Sequence, residues 1–208
     1  EAEGSEAYRR VLADPAFRRA IKAEALTRGV PNRFSYHSLR HMTVMSAQRP
    51  EHAHRVGGNV TEMAQAEGKD AFDWLLDFGL DGELDAMLDC KLFNTDEEAV
   101  RELIRQRNAQ ITLSDAGAHL SFLCDAGFGL HLFAHWVRER GAFTLEQAVQ
   151  ALTSRPADLY RMRERGRLAP GAWADLILFD PTAVGRGPKR RVFDLPGGAS
   201  RVATPAVG

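Results

Sequence analysis

The chain has 208 residues, 44% of them hydrophobic, enough for a packed core in one large or two small domains. Its 27 basic and 28 acidic residues leave a net charge of −1, and the arginines are scattered, which argues against nucleic acid or an anionic membrane as a partner. Two cysteines, Cys90 and Cys124, fit free thiols in a reducing compartment, and the apolar runs are only a few residues long, so a soluble cytoplasmic protein without signal peptide or membrane span is expected.

Val11, Phe17, Ile21 and Leu26 fall near helical spacing, so residues 8–29 read as a helix that restarts at Asp14-Pro15 and ends at Gly29. Met42-Thr43-Val44-Met45 is the best candidate for a buried barrel strand, and Arg49-Pro50 and Gly57-Gly58 bracket a surface loop after it. Thr61 to Ala66 reads as a short helix closed by Gly68, and Asp70 caps the next, where Phe72, Trp74, Leu75 and Leu76 form a wide apolar face. Thr95-Asp96-Glu97-Glu98 reads as a capping box for a helix that turns Val100, Leu103 and Ile104 inward and carries Arg105 and Arg107 near its C-terminal end. That helix feeds an Ile111-Thr112-Leu113 strand, and the alternation of helix, strand and helix predicts an α/β protein with parallel strands. Thr144-Leu145-Glu146-Gln147 opens a helix with Leu145, Ala148, Val149 and Leu152 on one face, and Ser154-Arg155-Pro156-Ala157 breaks it. Beyond Arg161, Leu168, a Pro170-Gly171 turn, Leu176 to Phe179, Val192-Phe193 and Val202 read as short strands of a small antiparallel unit, with a domain boundary near residue 165.

The most informative segment is Ile111-Thr112-Leu113-Ser114-Asp115-Ala116-Gly117-Ala118-His119, an apolar stretch that ends in an acid and a glycine-containing turn. An Asp that ends a buried strand is where a barrel enzyme keeps its chemistry; the bland alternative is an Asp that caps the turn. With Gly166-Arg167-Leu168-Ala169-Pro170-Gly171-Ala172-Trp173-Ala174-Asp175-Leu176, this segment resembles the C-terminal part of the metal-dependent amidohydrolases, and more narrowly the N-acyl-D-amino-acid deacylase (D-aminoacylase) branch. The resemblance implies the C-terminal portion of an amidohydrolase-type (β/α)8 barrel over residues 1–165, followed by part of a small β-sandwich over residues 166–208. It also implies a hydrolase of C–N bonds such as those of N-acyl-D-amino acids or related amides. Asp115 matches the acid that ends the eighth barrel strand, which binds the catalytic metal or takes the proton of the attacking water. His119 and Ser114 then become candidate substrate contacts, His119 equally a polar loop residue.

In that superfamily a His-x-His pair ligates zinc, and His52-Ala53-His54 has the same form. No strand aims both rings here, so exposed, metal-free loop histidines are expected. His131 and His135, and likewise His37 and His41, are four apart, yet apolar neighbours such as Leu132, Phe133 and Trp136 favour packed or half-exposed rings over ligands. Cys124 reads as a buried thiol, and Leu195-Pro196-Gly197-Gly198-Ala199 as a tight structural turn. No Gly-x-Ser-x-Gly turn surrounds Ser114 or Ser121, which removes a serine hydrolase. The family's other ligands come from earlier strands that no segment here matches, and the chain starts at Glu1 part-way through a domain, as a fragment would. Two readings stand: part of a divalent-metal (zinc) hydrolase, its fragment holding no metal alone, or an inactive interaction module. Either needs a partner, which would be an N-terminal complementary segment or a second copy.

Overall fold

The computed structural model describes residues 2–26, 36–47, 49–82, 84–112, 114, 116–121, 124 and 126–208. The chain divides into two compact units, Glu1–Thr95 and Asp96–Gly208.

The first unit opens with two helices, α1 (Ala2–Ala13) and α2 (Pro15–Leu26), divided at the expected restart, Asp14-Pro15. Pro15 has no N–H to continue the ladder, and the Asp14 carboxylate accepts from the Ala16 N–H at 2.8 Å, so Asp14 starts a new helix. Gly29 lies outside the described residues. A 3-10 turn (Tyr36–His41) leads into β1 (Met42–Ser46), and a second one (Pro50–Arg55) into α3 (Val60–Ala66), α4 (Ala71–Asp81) and β2 (Met87–Cys90). Side-chain oxygens of Asn59 and Asp70 cap α3 and α4 by accepting from Thr61 N at 2.9 Å and Phe72 N at 3.1 Å.

β1 is the expected strand, but β2 pairs with it antiparallel, Val44 opposite Leu88, so the parallel arrangement expected from the alternation of elements is absent from this pair. The opposite edge of β1 is occupied by the Gly57-Gly58 turn: Val44 N donates to Gly58 O at 3.0 Å and Gly57 N to Val44 O at 2.8 Å. Leu39, Val44, Val60, Phe72, Trp74 and Phe78 form the core of this unit. Trp74 and Phe78 lie one helical turn apart and stack at 5.2 Å, and each such buried ring contributes about 1.5–3 kcal/mol by leaving water. Cations of α2 meet the acids of α4, with Arg18 on Asp77 at 2.8 Å and Lys22 on Asp70 at 2.9 Å.

In the second unit α5 (Glu97–Ile104) is capped one residue later than expected, by Asp96, whose carboxylate accepts from Ala99 N at 3.1 Å. Val100 and Ile104 pack inward as expected, whereas Leu103 is 62% exposed on the outer side. Then follow α6 (Phe128–His131), running directly into a π-helical turn (Leu132–Glu139), α7 (Leu145–Leu152) and α8 (Ser154–Leu159). Thr144 and Gln147 form the full capping box of α7, and Pro156 sits in the first turn of α8, where its missing N–H does no harm. Leu132, Trp136, Ala142, Ala148 and Ala151 are the core here, so α7 buries alanines and leaves the expected inward Val149 partly exposed.

Gly166, at φ 77°, follows α8; a Cβ there would come within 2.7 Å of the Thr153 carbonyl oxygen, so only glycine fits. The expected β unit forms in part: β3 (Gly185–Arg186) pairs with β6 (Ala206–Val207), and β4 (Arg190–Val192) with β5 (Arg201–Ala203), all antiparallel. Gly197 and Gly198, both left-handed, make the tight turn between β4 and β5, and Asp194 grips Arg201 with both oxygens at 2.7 Å. Leu176 to Phe179 is not a strand. It has no ladder partner among the described residues, and Leu178 is fully exposed, so apolar composition alone did not make it one. The same holds for Ile111-Thr112, whose isoleucine packs on the unit core without a ladder partner among the described residues; Leu113 lies outside the described residues.

Candidate active site

Ser114 begins the candidate site. It is half-buried, and its Oγ accepts from Ala116 N at 3.3 Å, which starts the turn that Gly117 continues at φ 99°. His119 is exposed in that turn, and the next residue, Leu120, gives its carbonyl oxygen to Val202 N of β5 at 2.8 Å. The loop is fastened a second time where Thr204 Oγ1 donates to the Cys124 carbonyl oxygen at 3.5 Å and lies 3.6 Å from its sulfur. Cys124 is a free, buried thiol, as expected. The loop carrying Ser114 and His119 is thus held against a β pair at the end of the chain. Asp115, the expected catalytic acid and metal ligand, lies outside the described residues.

The histidines answer the metal question through their hydrogen bonds. His52 is buried, against the expectation of a solvent-facing ring, and donates Nε2–H to Asp81 at 3.0 Å while packing on Phe78. His54 does face solvent, its Nδ1–H donating to Glu51 O at 2.7 Å. A 3-10 turn has three residues per turn, so positions two apart point to different sides: one ring goes in and the other out. They do not converge on one ion. His52→Ala is expected to cost about 1–3 kcal/mol, because Asp81 loses its donor and Phe78 its neighbour, whereas His54→Ala stays within about 0.5 kcal/mol. Urea unfolding of the two variants beside wild type checks this.

His131 and His135 stack at 4.8 Å on one helical face, with His135 held between Glu139 at 2.8 Å and Glu97 at 3.2 Å. Each ring nitrogen of His135 thus faces a carboxylate oxygen, so both are already engaged. His37 Nε2 and His41 Nε2 both meet the Arg40 guanidinium, an obligatory donor, so those nitrogens are acceptors already in use. Burial, followed by the charges of Arg40, His37 and Lys91, holds the His41 pKa below the ordinary histidine value. Burial likewise pushes the Cys90 thiol up, away from the thiolate that ligation needs. Among the described residues no group of three or more His, Cys, Asp or Glu side chains is placed to hold a metal ion. The donors among the described residues do not make up a catalytic zinc site, which takes three protein ligands and an open position. No helix among the described residues is long and apolar enough to cross a membrane.

Comparison with known proteins shows the family. An N-acyl-D-glutamate deacylase of Alcaligenes xylosoxydans xylosoxydans is 34% identical over 96 residues, a match that takes in 44% of this chain and 19% of that enzyme. A D-aminoacylase of the same organism is 40% identical over 53 residues, 26% of this chain and 11% of that one. The chain therefore spans only a small part of the length of these relatives. A crystal structure of the N-acyl-D-glutamate deacylase of Bordetella bronchiseptica, complexed with zinc and a phosphonate mimic of the tetrahedral intermediate, is 26% identical with a TM-score of 0.41, over 70% of this chain and 29% of that one. The amidohydrolase family model matches residues 7–196, nearly the whole sequence, and the chain belongs to that family.

Proposed function

We propose that this chain is the C-terminal portion of a hydrolase that cleaves the amide bond of N-acyl-D-amino acids. The observation that carries the reading is the family match over residues 7–196 together with the deacylase likeness. In this reading residues 1–165 belong to the catalytic barrel and residues 166–208 to the small sandwich. Asp115 takes a proton from the attacking water and returns it to the leaving nitrogen, a role a carboxylate can fill in both directions. Ser114 sets the turn that follows Asp115, and His119, exposed on the same turn, contacts the substrate.

A divalent metal such as zinc would polarise the scissile carbonyl and acidify the water. Its ligands are not assembled among the described residues. An N-terminal complementary segment or a second copy of the chain would supply them. The test is hydrolysis of N-acetyl-D-glutamate by the complete assembly, with N-acetyl-L-glutamate as control. Chelator-sensitive, D-selective release of glutamate supports the proposal; absence of amide hydrolysis from a complete, metal-loaded assembly favours the interaction module instead.

A further inference from the structure

The second unit carries a cleft of about 470 Å³ on which this reading makes no demand. Its wall includes Arg105 and Arg107, just past α5, Gln147 and Gln150 on α7, and Arg155 and Asp158 on α8. The guanidinium of Arg155 is fixed from one side: Nη2 donates to the Gln106 carbonyl oxygen at 2.8 Å and also meets that of Arg107. Its Nε and Nη1 donors have no partner among the described residues, and neither do the side chains of Arg105 and Arg107. Gln147 spends its Oε1 on the cap of α7, which leaves its amide N–H groups as further donors.

The acid on this wall is already taken. Asp158 is held bidentately by Arg167 at 2.8 and 2.6 Å, and that bond keeps its carboxyl below the usual carboxylate range. The cleft therefore presents an excess of donors and of positive charge, with Arg155 fixed in place. Guanidinium groups match planar or tetrahedral oxyanions two N–H at a time, which suits a ligand with more than one oxyanion group. The space also exceeds what a single phosphate needs, and Phe143 offers an apolar wall for an organic body.

We infer that this cleft binds a small organic molecule carrying at least two oxyanion groups, of the phosphate-ester or polycarboxylate kind. The inference does not depend on the proposed hydrolysis. Arg155 and Gln110 tie the cleft to the segment leading toward Ser114, since Gln110 Nε2 donates to Ala151 O at 2.9 Å. A bound anion would brace that segment.

The test is isothermal titration of the 208-residue chain with inorganic pyrophosphate and, separately, with citrate, at about 0.15 M salt so that diffuse attraction is screened. The expected result is a dissociation constant below about 1 mM for at least one probe, weakened at least about tenfold in Arg105→Gln/Arg107→Gln. A control variant, Arg161→Gln/Arg163→Gln, should bind as wild type does. Binding of pyrophosphate alone assigns a phosphate ligand, and of citrate alone a polycarboxylate. Because Arg105 and Arg107 are exposed, the double variant should keep the wild-type thermal midpoint, which is measured beside it. No binding of either probe, or equal weakening by the control variant, overturns the inference.

Discussion

Asp115→Asn, introduced into the complete active assembly, removes nearly all turnover and leaves the thermal midpoint unchanged. Asn has the shape of Asp and caps a turn nearly as well, so a purely structural Asp115 would cost at most about 1 kcal/mol on this change and little activity. A general acid–base residue behaves differently. The amide has no lone-pair site basic enough to take a proton from water, and it brings no negative charge, so the loss should reach at least about a hundredfold in kcat/KM. Measuring kcat/KM beside the thermal midpoint separates the two, and near-normal turnover removes Asp115 from the chemistry. Ser114→Ala is a useful companion: it deletes only the Ser114 Oγ to Ala116 N bond of the turn and should cost far less activity.

What could be read from the sequence is what is decided within a few residues. The caps at Asp70 and Thr144, the stop at Gly68, the strand at Met42 and the Gly197-Gly198 turn all rest on local bonds or local backbone preference. Where the outcome depends on a distant partner, the reading fails in a consistent way. His52 turns inward because Asp81, at the far end of α4, accepts its proton and Phe78 covers its ring, and nothing in Arg49-Pro50-Glu51 signals either. The β1 strand was found, but its direction relative to a neighbour is set by β2, a short Met-Leu-Asp-Cys stretch with little strand signature. Leu176 to Phe179 shows the converse. Its composition suits a strand, yet with no neighbour among the described residues to complete the ladder it stays irregular, Leu176, Ile177 and Leu178 exposed. Of the candidate site, the turn and the loop position of His119 were legible; the tethers from Leu120 to Val202 and from Cys124 to Thr204 were not, because each joins residues about eighty apart.

The isolated 208-residue chain is expected to bind no catalytic zinc tightly and to hydrolyse no N-acyl-D-amino acid. The reason lies in where the described donors point. His135, His37 and His41 have ring nitrogens committed to carboxylates or to a guanidinium, and His52 and His54 point apart. Among the described residues no three His, Cys, Asp or Glu side chains surround one point, where a catalytic zinc needs about three protein ligands. Zinc that does associate should therefore be weak and lost on dialysis, since scattered donors give little of the binding energy of a preformed site. Elemental analysis of the dialysed protein, with a deacylase assay on N-acetyl-D-glutamate, reads both halves of the claim. Adding the complementary segment should raise metal content and activity together, because the ligands and the acid are useless apart. Stoichiometric zinc in the chain alone, with activity that a chelator abolishes, would place the full ligand set within these residues and overturn the need for a companion.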